Sequence, residues 1–208
     1  MLFRSQLLVG HERTHGIAFT GSVPAARAVA KTAAERFKPV LTEASGNDPF
    51  IVMPSAPLDA VARGATFAAF LNCGQVCTSA ERFYVHTDIY DEFLAAFAEQ
   101  ARALRIGNGL DAVDIGPMAS LRERDRVERL VARAVEQGAK VVTGGRRPSH
   151  LTSGAFYEPT ILEVSHDHEI MHGECFGPIA PVCRVADLDE ARSEEHTSEL
   201  QSRLHLVC

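Results

Sequence analysis

Cys77 is the residue whose type and setting carry the most chemistry. It stands in the run Asn72-Cys73-Gly74-Gln75-Val76-Cys77-Thr78-Ser79-Ala80-Glu81-Arg82, after a helix-like apolar stretch and before a strand-like one. A thiol at such a turn can keep its sulfur free, with backbone N–H groups beside it. That suits a nucleophile that attacks a carbonyl carbon and stabilises the oxyanion it creates. An arbitrary cysteine is more often a small buried hydrophobe, so the reading rests on what else the chain carries. A zinc reading of Cys73 with Cys77 lacks the second Cys/His pair that ligand spacing demands. His166, His168 and His172 fall close to Asp167, Glu169 and Glu174. They read better as a solvated loop than as a metal centre.

The elements that must position these residues alternate between strand and helix. Ile17–Thr20 reads as a short buried strand and Gly21-Ser22 as its turn. Pro24 sits near the first position of an Ala-rich helix over 25–36. A second strand over 40–42 completes a βαβ unit, which implies a parallel sheet. Free N–H groups and the helix dipole at Gly21 and Ser22 favour a phosphate, although a strand–Gly-Ser–helix turn is common. A strand over 50–53, a helix over 58–71 and a strand over 82–86 follow. The helix over 89–104 places Phe93, Leu94, Phe97, Ala101 and Leu104 on one face. After a loop over 107–117 comes an amphipathic helix over 121–137, stopped by Gly138. Its Arg122, Arg124, Arg126, Arg129 and Arg133 interleave with Glu123, Glu128 and Glu136, which reads as a salt-bridged exposed face. A strand over 140–143, an extended segment over 157–164 and a buried strand over 179–185 complete an α/β chain.

Composition narrows the function classes. With 46% hydrophobic and 23% charged residues, the 208-residue chain reads as an ordinary globular protein. A net charge of −6 without a basic stripe argues against nucleic acid as a partner. No apolar run approaches the roughly 20 residues that span a bilayer, and no signal peptide is evident at the N-terminus. Five cysteines without framework spacing suit reduced thiols in a cytoplasmic protein.

Four motifs occur in order: Phe19-Thr20-Gly21-Ser22, Glu43-Ala44-Ser45-Gly46-Asn47-Asp48-Pro49, the run around Cys77, and Glu174-Cys175-Phe176-Gly177-Pro178. Together, and at these separations, they resemble the NAD(P)-dependent aldehyde dehydrogenase superfamily over about residues 16–191. The resemblance implies a chain holding the end of a Rossmann-like cofactor domain (1–43) and most of an α/β catalytic domain (44–191). It implies Cys77 as nucleophile and Glu43, opening the Glu-x-x-Gly motif, as the base that activates water. It implies Gly21 and Ser22 at the cofactor pyrophosphate, Glu174 on the nicotinamide ribose and Phe176 beside the ring. NAD or NADP is the implied cofactor, a small aldehyde the substrate, and a homo-oligomer the parent. No metal is implied. Ala44 and Ser45 depart from the family's Leu-Gly at those positions, and Ser45 puts a side chain where the backbone runs close to the nicotinamide.

Residues 192–208 resemble a translated sequencing adapter and are expected to be non-native, disordered and dispensable. The chain is expected to be the middle of an enzyme, because family members carry an oxyanion-hole Asn and adenosine-binding residues upstream. Alone, it is expected to be inactive. Two alternatives stay open: a relative that releases its thioester to coenzyme A, and a non-catalytic aldehyde-dehydrogenase-like protein.

Overall fold

The computed structural model of the chain describes residues 3–195 and 205–207. The chain divides into two compact units, Met1–Ser45 and Gly46–Cys208.

The first unit contains α1 (Phe3–Gly10), β1 (Ile17–Thr20), α2 (Val23–Ala34) and β2 (Val40–Glu43). β1 and β2 pair in parallel from Ile17↔Val40 to Thr20↔Glu43, as the βαβ reading requires. Pro24 lies in the first turn of α2, where its missing N–H has no intrahelical partner to lose. Lys38 Nζ donates to the carbonyls of Val9 and His11 at 2.8 and 2.6 Å, satisfying acceptors at and beyond the end of α1. The sequence predicts a buried β1. Instead the strand alternates half-buried and exposed, because two strands and two helices leave the small sheet largely uncovered. Leu41 on β2 is 63% exposed and Phe37 is 98% exposed.

The second unit is built on a six-stranded sheet. Its strands are β3 (Asp48–Val52), β4 (Ala80–His86), β5 (Lys140–Thr143), β6 (Thr160–Glu163), β7 (Ile179–Val185) and β8 (His205–Val207). The strand order is β5-β6-β7-β4-β3-β8, parallel throughout except for the antiparallel β5–β6 pair. The helices are α3 (Leu58–Phe70), α4 (Tyr90–Ala103), α5 (Leu121–Glu136) and α6 (Leu188–Glu195). α3 and α4 pack on each other and on β4.

The aromatic residues explain that packing. Phe97 lies 5.2 Å from Phe83, 5.5 Å from Phe93 and 5.8 Å from Phe70 between ring centroids, and Phe83 continues to Phe50 at 5.2 Å. Removing a ring from such a cluster costs about 3–5 kcal/mol. The face of α4 expected to be buried is buried at Phe93, Phe97 and Ala101. β3 starts two residues earlier than its apolar run suggests. Pro49 lacks a donor, and the pairing register with β4 shifts between Asp48 and Pro49. The expected extended segment over 157–164 becomes a strand only over Thr160–Glu163.

The C-terminal expectation needs correction. α6 continues to Glu195, and residues 205–207 pair in parallel with β3 as β8, so these parts of 192–208 are ordered elements. The remainder of that stretch, 196–204 and 208, lies outside the described residues. Among the described residues, no helix is long and apolar enough to cross a membrane.

Candidate active site

The thiol loop begins where α3 cannot continue. Asn72 (φ 51°), Cys73 (φ 62°) and Gly74 (φ 66°) are three successive left-handed residues. For a non-glycine residue this conformation costs roughly 1–2 kcal/mol, and Asn tolerates it better than Cys. Surrounding contacts over-determine the strained turn. Asn72 Nδ2 donates to Gln75 O and Gln75 Nε2 to Asn72 O, both at 3.2 Å. Gln75 Oε1 accepts the Ala119 N–H at 2.9 Å, and the Cys73 thiol donates to Gly116 O at 3.4 Å. The loop is thereby tied to the segment that leads into α5.

A tight turn follows, closed by Ser79 N–H donating to Val76 O at 3.0 Å. Cys77 and Thr78 occupy its two central positions, whose own N–H groups the turn bond does not use. Cys77 is exposed, whereas Cys73, Cys175 and Cys183 are buried. Burial pushes the Cys73 thiol up to about 12 and the Cys175 thiol well above its ordinary range. Those two sulfurs stay protonated and act as packing groups. The four-residue spacing would let Cys73 share a helix face with Cys77, but the left-handed turn separates them.

The Glu174–Phe176 segment is tied to this loop from both sides of Cys77. Before the thiol, Gly74 packs so closely on the Gly177 carbonyl that a Cβ would meet its oxygen at 2.1 Å. After it, the Glu81 carboxylate accepts the N–H groups of Cys175 and Phe176, both at 2.7 Å. Glu174 is half-buried, with Oε1 accepting the Gly46 N–H at 3.3 Å. Phe176 has φ 42°, a left-handed conformation for a bulky residue, and its side chain is exposed.

Glu81 and Arg126 are the residues that sequence reasoning missed. Glu81 is buried, and burial pushes its carboxyl up to about 8 against the opposing pull of the Phe176 and Cys175 N–H groups. The available signal was a charged pair, Glu81-Arg82, opening a strand that continues as Phe83-Tyr84-Val85. Arg126 was expected on a solvated helix face. Its Nη2 instead donates to the carbonyls of Cys175 (2.7 Å) and Phe176 (3.1 Å), while Nε pairs with Glu123 at 2.8 Å. The rest of that helix matches the salt-bridged reading in part: Arg133 pairs with Glu169 at 3.0 Å and Arg147 with Glu128. His168 is a structural residue, accepting the Ile170 N–H on Nδ1 and bonding Ala134 O through Nε2.

The remaining site residues lie in the first unit. Gly21 N–H donates to Glu43 O at 3.0 Å, so the turn after β1 and the end of β2 are neighbours. Glu43 is exposed. Ser22 stands at the N-cap of α2 with extended backbone (φ −63°, ψ 150°), and its side chain caps no helical N–H. A hydroxyl and uncapped N–H groups at a helix start fit a phosphate. An anchored carboxylate at Glu174 and an exposed ring at Phe176 fit a ribose and a nicotinamide. Each unit thus carries groups whose chemistry suits a part of a dinucleotide.

Comparison with known proteins gives the family. The profile of the Aldehyde dehydrogenase family matches residues 4–200. The chain belongs to that family. It is 41% identical over 199 residues to the 3,6-anhydro-alpha-L-galactose dehydrogenase of Vibrio sp. (strain EJY3), covering 92% of this chain and 41% of that protein. It is 44% identical over 181 residues to the NADP(+) succinate-semialdehyde dehydrogenase of Mycobacterium avium (strain 104), covering 86% of this chain and 38% of that one. A solved betaine aldehyde dehydrogenase from Staphylococcus aureus, in complex with NAD+, superposes with a TM-score of 0.90 at 28% identity, covering 93% of this chain and 39% of that chain. The chain thus spans about two fifths of the length of the curated relatives it matches.

Proposed function

We propose that the complete enzyme containing this chain oxidises a small aldehyde to a carboxylic acid with NAD or NADP, using Cys77 as nucleophile. The observation that carries this is the placement of Cys77: an exposed thiol at the corner of a turn tied to the Glu174–Phe176 segment on both flanks. The thiolate of Cys77 adds to the aldehyde carbon, forming a C–S bond as the carbonyl π pair moves to oxygen. The Cys77 N–H, which the turn leaves unused, donates to that oxyanion. When bound, the dinucleotide supplies the acceptor for the hydride that leaves this carbon. Glu43 takes a proton from water, the water oxygen adds to the thioester, and the C–S bond breaks with its electron pair returning to sulfur.

Gly21 and Ser22 would hold the pyrophosphate, Glu174 the nicotinamide ribose, and Phe176 would flank the ring. The two-unit split after Ser45 supports a cofactor part over 1–43 and a thiol part over 44–191. The family match to residue 200 and α6 favour a later C-terminal boundary than 191. Four free cysteines among the described residues support a reducing, cytoplasmic setting. A homo-oligomeric parent is carried by the family resemblance.

The test is Cys77→Ala in the complete enzyme, with NAD(P) reduction followed against a panel of small aldehydes. Turnover should vanish while the melting temperature is kept. Substantial residual turnover would refute the assignment.

A further inference from the structure

The Glu174–Phe176 segment is short, lies outside regular structure and holds a bulky residue in a left-handed conformation. Such a segment keeps one geometry only when its backbone groups are fixed from outside. Here the N–H and C=O groups of Cys175 and Phe176 are all fixed. Glu81 Oε2 and Oε1 accept the N–H groups of Cys175 and Phe176 at 2.7 Å each. Arg126 Nη2 donates to the carbonyls of the same two residues at 2.7 and 3.1 Å. Arg126 is itself oriented by Glu123 at 2.8 Å. The acceptor comes from β4 and the donor from α5, so two rigid elements grip two consecutive residues from opposite polarity.

We propose that Glu81 and Arg126 are positioning residues for nucleotide binding, setting the Phe176 backbone and with it the Glu174 carboxylate and the Phe176 ring. The inference rests on the reading of this segment as the nicotinamide-ribose contact. Glu81 lies four residues after Cys77. One strand therefore starts beside the nucleophile and fixes the segment that meets the hydride acceptor, which couples the two in register. Neither side chain is assigned a contact with substrate or with the reacting atoms.

The ionisation of Glu81 makes the grip pH-dependent. The charged and titratable groups acting on it are Glu174, Arg126 and the buried Cys175 thiol, and the backbone N–H groups of Cys175 and Phe176 bond to it. An ionised carboxylate accepts both N–H bonds. A protonated one turns an acceptor into a donor and releases one of them. Burial pushes the group up to about 8, so the grip weakens as pH falls through that value.

The experiment uses the complete enzyme, with NAD and NADP as probes in calorimetric titrations between about pH 6 and 9. Glu81→Gln should weaken nucleotide binding about tenfold and flatten its pH dependence. KM for nucleotide should rise far more than kcat falls, and amide exchange at Cys175 and Phe176 should accelerate. Arg126→Lys should shift binding in the same direction while keeping the pH dependence, because Glu81 remains. It also serves if Glu81→Gln does not fold. Glu81→Asp, which keeps the charge, should restore part of the affinity. Wild-type binding matched by Glu81→Gln and Arg126→Lys would overturn the inference alone. A wild-type enzyme that binds neither dinucleotide would overturn the nucleotide reading and the inference with it.

Discussion

Gly74 and Gly177 are in backbone contact: a Cβ on Gly74 would lie 2.1 Å from the Gly177 carbonyl oxygen. This contact locks the loop that precedes the thiol against the segment that follows Phe176. Two separate requirements thus fall on Gly74, since its φ of 66° also disfavours any side chain.

Gly74→Ala is therefore expected to destabilise the protein by about 2–4 kcal/mol, through overpacking and positive-φ strain together. Gly64, inside α3, is the control, because a Cβ added there would meet nothing within 4 Å. Gly64→Ala should be neutral or stabilising by up to about 1 kcal/mol. Urea unfolding of both variants checks the pair; equal midpoints would show that the Gly74 contact is not rigid.

Thiol accessibility gives a second prediction. Among the described cysteines, only Cys77 is exposed. Iodoacetamide should alkylate Cys77 well before Cys73, Cys175 or Cys183, and loss of turnover should track that modification. Peptide mapping at partial inactivation reads the order. Early labelling of Cys73 would mean that the left-handed turn opens in solution.

Much of this was legible in the sequence, for physical reasons that differ by residue. The turn that exposes Cys77 shows because its motif is local and dense. The α4 face shows because Phe93, Phe97 and Ala101 repeat at helical spacing. The Glu81 grip did not show, because its partners lie 94 and 95 residues away and use backbone N–H groups, which carry no sequence signature. Arg126 was hidden in a helix where every turn has an arginine, so its particular carbonyl contacts had no distinguishing pattern. The left-handed Asn72-Cys73 pair was unreadable because cysteine has no preference for that conformation; tertiary contacts impose it. β3 was placed late because Pro49 reads locally as a turn, and only the register shift beside it lets the strand begin at Asp48.

Stability should depend on pH through Glu81. Its carboxyl is raised from 4.5 to about 8 in the folded protein, mainly by burial. The folded state therefore binds more protons than the unfolded state between those values. By linkage, this group contributes stability that is fully present below about pH 4.5 and is lost as pH rises through about 8. Melting temperatures across that window should fall less steeply in Glu81→Gln than in wild type. Parallel slopes would show that Glu81 does not titrate there.

The most direct test of the account is the mass of the covalent intermediate. In the complete enzyme, Glu43→Gln removes the proposed base for deacylation while leaving Cys77 in place. Mixing this variant with aldehyde and NAD(P), then quenching in acid, should trap an acyl group on the peptide that contains Cys77, with one equivalent of reduced nucleotide released in a burst. An acyl group on another residue, or a lost rate with no burst and no adduct, would contradict the assignment of Cys77 as nucleophile and Glu43 as its deacylating base.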